Sequence, residues 1–117
     1  MNKISYEERA KVYTDALSTF GPNMQLIVAL EEMSELQKEI TKALRGDLNP
    51  MHLAEEVADA TIMLEQLRQI FNINEEVCDM MDRKTLRLQM RIENAKRIED
   101  APIDKAILRS LFENLEV

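Results

Sequence analysis

The chain has 117 residues, a formal net charge of −7 and one cysteine. Its length fits a single domain over residues 1–117. A single cysteine excludes an internal disulfide and suits a reducing cytoplasm. The acidic charge argues against binding nucleic acid or anionic membranes, and no apolar stretch approaches the ~20 residues of a membrane span. Good helix formers dominate while Gly and Pro are scarce, which predicts an all-α fold.

Capping residues and chain breaks predict four long helices and one short one. Ser5 is a predicted N-cap, and Gly21 begins a strong break after the first helix. Asn49 and Pro50 are predicted to open the third helix. Because the loops are short, the prediction is an antiparallel four-helix bundle core with a short extra C-terminal helix. The predicted helices cover residues 6–19, 24–44, 50–71, 74–96 and 104–115.

Apolar residues recur at helical spacing along the second and third helices. A chain this short, with so much apolar surface on its helices and an amphipathic tail, is predicted to form a homo-oligomer. The two apolar stripes consist of Leu26, Leu30, Met33, Ile40 and Leu44, followed by Leu53, Val57, Ala60, Leu64, Leu67 and Phe71.

Two acidic clusters lie inside these same two helices. Glu32 and Glu35 are three residues apart, as are Glu56 and Asp59, so each pair occupies one helix face. A solvated surface is the competing interpretation, but no Lys or Arg stands four residues after any of these four acids. If the two faces meet, four carboxylates share one small volume, and only bound cations make that favourable. The pattern therefore predicts a metal site.

The ligand chemistry indicates which metal would bind. All-oxygen ligation by carboxylates favours Mg²⁺ or Mn²⁺ over Zn²⁺, which prefers Cys and His. A di-iron bundle would need Glu-x-x-His motifs, and neither cluster provides one. Hard divalent metals in helical proteins usually serve chemistry on phosphates.

The segments Leu30–Leu36 and Glu55–Ala60 resemble the signature of the MazG-like all-α nucleoside triphosphate pyrophosphohydrolases, Glu-Glu-x-x-Glu and then Glu-x-x-Asp. The resemblance covers about residues 24 to 97. It implies Mg²⁺-dependent cleavage of a nucleoside triphosphate to the monophosphate and pyrophosphate by a helical dimer or tetramer. It implies that Glu31 takes a proton from the attacking water, or positions it. The metal ligands that it implies are Glu32, Glu35, Glu56 and Asp59.

A basic stripe on the fourth helix is a candidate phosphate site. Lys84, Arg87 and Arg91 lie at i, i+3 and i+7, which suits a clamp for the outer phosphates and equally suits a solvated face. Lys42 on the second helix is a further candidate. Where the family often has Asn, four residues after the Lys, this chain has Leu88.

Two other interpretations stay open. The chain could be a helical oligomerisation or regulatory module without catalysis, whose acidic turns pair with basic residues of a partner. Within the same superfamily, it could also be a phosphoribosyl-ATP pyrophosphatase. The favoured prediction is a nucleotide pyrophosphohydrolase that serves to maintain the nucleotide pool.

Overall fold

The computed structural model describes residues 3–100 and positions 106, 109, 110 and 113, and within these it contains helices and turns but no strand. The predicted all-α helical fold is therefore confirmed. None of the helices in this described part is long and apolar enough to cross a bilayer. Residues 3–100 form four helices, α1 (Tyr6–Phe20), α2 (Pro22–Leu44), α3 (Pro50–Ile70) and α4 (Asn74–Asp100).

The helix boundaries follow local capping chemistry. Ser5 caps α1, since its Oγ accepts a hydrogen bond from the Glu8 N–H at 3.1 Å. Asn49 Oδ1 caps α3 and accepts from two backbone N–H groups, each at 3.2 Å. Gly21 lies between α1 and α2 at φ +86°, a left-handed conformation that favours glycine. It lets α2 begin at Pro22, two residues earlier than the sequence predicts.

The structure describes only part of the elements predicted near the C-terminus. Helix α4 ends at Asp100, four residues later than predicted. Residues 101–103, which precede the predicted short helix, lie outside the described residues. Most of the short helix predicted over 104–115 also lies outside them, although its four described positions are helical.

The chain divides after Asn74 into two compact units. The first contains α1, α2 and α3, and the second contains α4; each is described by itself. In the first unit α2 and α3 form the most extensive contact, and α1 packs against both. The single domain predicted over residues 1–117 stays a prediction.

The core of the first unit is small and partly polar. Its buried apolar side chains, within the described part of the chain, are Ala29, Ala60 and Met63. Three polar side chains are buried beside them, namely Gln25, Glu39 and Gln66. Burying a polar group is unfavourable unless it finds a partner, so the contacts of these three side chains bear on function.

Candidate metal centre

Three carboxylates from two helices meet where α2 and α3 pack together. Glu32 projects from α2, and Glu56 and Asp59 project from neighbouring turns of α3. One carboxylate oxygen of each lies within 4.8 Å of the others. We call these three residues the acid cluster. The structure thus brings together three of the four acids that the sequence predicts as metal ligands.

Glu56 is the most constrained member of the cluster. Its Oε2 atom is buried and has no hydrogen-bond partner. Burial raises the pKa of the Glu56 carboxyl above its usual value of 4.5, and the charges of Asp59, Glu35 and Glu39 raise it further. A buried carboxylate oxygen without a donor leaves a position that a cation would satisfy.

Glu32 shows the same electrostatic conflict from the α2 side. Burial raises the pKa of its carboxyl, and the charge of Asp59, which also shares a hydrogen bond with it, raises the pKa further. The charges of Glu56 and Glu31 add smaller contributions in the same direction. Burial and the neighbouring carboxylates all raise the pKa of Glu32, which marks a site with an excess of negative charge.

The two remaining acids of the first motif lie outside the cluster but act on it. Glu35 is exposed, and its charge contributes to the raised pKa of Glu56. Glu31 is also exposed, and its charge contributes to the raised pKa of Glu32. Their roles as ligand and as base stay predictions.

Glu39 is a buried acid that was not among the predicted site residues. It is only 8% exposed, and its Oε1 accepts a hydrogen bond from Lys42 Nζ at 3.0 Å. Its charge raises the pKa of Glu56, so it belongs to the surroundings of the cluster. The spacing of Glu39 from Glu32 and Glu35 could have revealed it, since the three follow one helix face. The candidate phosphate ligand Lys42 is therefore held by an acid next to the cluster.

Among the described residues, the acid cluster has no cationic partner. In the part of the chain that the structure describes, no Lys or Arg forms an ion pair with Glu32, Glu56 or Asp59. Three hard oxygen donors suit Mg²⁺ or Mn²⁺ and leave coordination positions for water or phosphate oxygens. The donor set therefore fits the predicted metal.

The predicted phosphate clamp belongs to α4. Lys84, Arg87 and Arg91 are exposed along this helix. Their spacing of three and four residues keeps them on one helix face, as the sequence predicts. Contact with phosphate stays a prediction for all three.

Comparison of the chain with models of protein families, with curated proteins and with solved structures gives no match. The resemblance to the MazG-like enzymes therefore rests on the two acidic motifs of the sequence. Membership of that family stays a prediction.

The raised pKa values predict how the stability of the metal-free protein varies with pH. The folded state holds protons on Glu32 and Glu56 at pH values where the unfolded chain has lost them, so their contribution to stability falls as pH rises from 4.5 through the raised pKa values. In EDTA, Glu56→Gln should raise the Tm by about 2–5 °C at pH 7.5, and the gain should shrink towards pH 4.5. Thermal melts monitored by circular dichroism across this range measure it.

The exposed neighbour offers a matched control for these melts. Glu55→Gln removes the same charge one residue away, outside the cluster, and should change the Tm much less. If the gain in Tm of Glu56→Gln did not vary with pH, this would contradict the assignment of the electrostatic repulsion to the Glu56 carboxyl.

Proposed function

We propose that this protein is a Mg²⁺- or Mn²⁺-dependent nucleoside triphosphate pyrophosphohydrolase that forms a homo-oligomer in the cytoplasm. The observation that carries the proposal is the acid cluster, with a buried, unpartnered oxygen on Glu56. The order and spacing of the acids in the sequence, which resemble those of the MazG-like enzymes, indicate which phosphate chemistry the cluster serves.

The charge balance of such a site explains why a triphosphate would bind there only together with a divalent ion. The acid cluster repels anions, and a nucleoside triphosphate brings about four more negative charges. A divalent ion held by the cluster supplies the positive charge that makes binding favourable and that stabilises negative charge on phosphoryl oxygens in the transition state. The protein contributes the position of the oxygen donors on two packed helices.

The exposed acids of α2 take complementary roles in this proposal. Glu35 lies one turn beyond Glu32 and completes the ligand set from the solvent side. Glu31 is beside Glu32 in the chain and is not needed as a ligand, so its carboxylate is free to orient a water molecule and accept its proton.

Four basic side chains are the proposed contacts for phosphate. Lys42 is half-buried and its ammonium is held at 3.0 Å by Glu39, which orients it near the acidic face of α2. In the basic stripe of α4 the two arginines offer guanidinium groups, which bind phosphate oxygens in pairs, and the lysine offers an ammonium group. The residues of that stripe are Lys84, Arg87 and Arg91.

A substrate panel tests the proposed reaction. With Mg²⁺, ordinary and modified nucleoside triphosphates should yield the monophosphate and pyrophosphate in equal amounts, resolved by anion-exchange chromatography. Hydrolysis should stop in EDTA. Release of orthophosphate with the diphosphate would mean cleavage at another bond and would contradict the proposal.

An exposed apolar face supports the proposed homo-oligomer. Leu30 is 70% exposed and Leu44 is 85% exposed. Helical spacing places these, two exposed apolar residues of α3 and its C-cap residue on the side of the α2–α3 pair that faces away from Glu35 and Glu39. A unit with so few buried apolar side chains gains stability when a second copy covers this face. The apolar face consists of Leu30, Leu44, Val57, Leu64 and Phe71.

Charges placed on the apolar face should dissociate the oligomer. Leu30→Glu and Leu64→Glu are each expected to weaken association by at least about 30-fold, since buried interface anchors contribute about 2 kcal/mol or more. Analytical ultracentrifugation over a concentration series measures the change. Val12→Glu, on an exposed part of α1, is the matched control and should leave the association unchanged. Equal effects at all three positions would contradict the assignment of the interface.

The same apolar face also favours a second candidate function. A helical oligomerisation or regulatory module would use this face for assembly and its acidic turns for a basic partner. The two candidates differ in their response to metal, because a site for divalent ions gains stability on binding them whereas a protein-binding surface does not.

A further inference from the structure

A pair of amide side chains is buried between α2 and α3. Gln25 Nε2 donates a hydrogen bond to Gln66 Oε1 at 2.6 Å, and the two residues are only 7% and 5% exposed. The apolar side chains of Ala29 and Met63, also buried, come from the same two helices. The bond therefore joins the two helices that carry the acid cluster, and it does so inside the core.

The amide pair and the acid cluster are in one register. Glu32 lies seven residues after Gln25 on α2, and Asp59 lies seven residues before Gln66 on α3. Because the two helices run in opposite directions, equal steps along both lead from one facing pair to the other. Seven residues make two helical turns, or about 10 Å along the axis. Pairing of the amides thus keeps Glu32 level with Asp59.

The chemistry of the pair suits this task better than it suits stability. Apolar side chains of similar shape would fill the same space without any polar group to satisfy. An amide pair instead penalises every displacement that separates its donor from its acceptor, as a buried polar residue does when it fixes the register of a coiled coil. Such a restraint matters here because like charges in the acid cluster push α2 and α3 apart.

We infer that the Gln25–Gln66 hydrogen bond is a register lock, and that these two residues are positioning residues for the acid cluster. The inference rests on the proposed function insofar as the cluster binds metal. The lock holds the helices so that carboxylates from α2 and α3 meet at one ion, and it touches neither the ion nor the substrate.

Removal of the lock should weaken metal binding without lowering thermal stability. In Gln25→Met/Gln66→Met the Tm should equal or exceed that of the wild type, because no amide is left unpaired. The Kd for Mn²⁺, measured by isothermal titration calorimetry, should nevertheless rise about 10-fold, as for other changes that disturb ligand positions. Gln69→Met is the matched control, since Gln69 donates to the Ala10 carbonyl of α1 at 3.2 Å and should leave Mn²⁺ affinity unchanged.

A second readout does not depend on metal. In a Cys78→Ser background, cysteines replacing Glu32 and Asp59 report through disulfide formation in a glutathione buffer whether the two positions are level. The effective concentration of the two thiols with respect to each other should fall about fivefold when Gln25→Met/Gln66→Met is added, and should not fall with Gln69→Met. A pair that closes as readily with Gln25→Met/Gln66→Met as with both glutamines intact would contradict the lock.

The two experiments separate the lock from the function. An unchanged effective concentration together with an unchanged Mn²⁺ affinity in the double variant overturns the lock and leaves the metal site standing. A wild-type protein that binds no Mn²⁺, with a disulfide that still depends on the glutamines, overturns the proposed function and supports the lock.

Discussion

Glu56→Gln is expected to abolish release of pyrophosphate from nucleoside triphosphates while leaving the helical content intact. The substitution removes the negative charge from the one buried, unpartnered oxygen of the acid cluster. Changes that only touch the partners of metal ligands typically weaken metal binding by about 10–100-fold, so loss of a ligand charge should exceed about 100-fold. A loss of similar or greater size in kcat/KM for Mg²⁺-dependent hydrolysis should follow.

Glu55→Gln provides the matched control for this loss. The two residues are adjacent on α3, and Glu55 is exposed and outside the acid cluster. Its substitution should preserve most of the activity. Glu32→Gln and Asp59→Asn should behave like Glu56→Gln, since each removes one member of the same cluster. Activity that survives in all three cluster variants would refute the assigned ligands.

Local chemistry explains why so much of the fold follows from the sequence. A cap such as Ser5 or Asn49 acts on the helix that it begins, so its effect is visible within four residues of chain. The sequence predicts a start of α2 that is two residues late, because Gly-Pro-Asn is typical of a break. In the structure, Gly21 ends one helix and directly precedes the next. The sequence alone does not reveal that Gly21 both ends α1 and directly precedes α2.

The candidate site was predictable only in part, because spacing identifies a helix face but not what covers it. Glu32 and Glu35 share a face, yet Glu32 enters the cluster and Glu35 stays exposed. Whether a side chain is covered depends on the neighbouring helix. The same limit hid the burial of Glu39, since spacing shows only its helix face, and the partner of Gln25, which lies 41 residues away in the chain.

The small core and the acid cluster together indicate a site whose like charges lower the stability of the folded protein. Like charges at the α2–α3 contact oppose the packing of the two helices, and the raised pKa values of Glu32 and Glu56 express that opposition. Functional sites commonly carry such a cost, which a ligand then relieves. The protein should therefore be least stable in the absence of metal.

Mn²⁺ at 100 times its Kd is accordingly expected to raise the Tm of the wild-type protein by about 10 °C, since binding to the folded state alone contributes about 2.7 kcal/mol. The same concentration of Mn²⁺ should raise the Tm of Glu55→Gln by nearly as much and that of Glu56→Gln by very little. Because no Lys or Arg among the described residues forms an ion pair with the cluster, the response should depend on a divalent ion and should not be reproduced by NaCl of equal ionic strength. A shift that NaCl reproduces would favour the alternative of an acidic surface built for a protein partner.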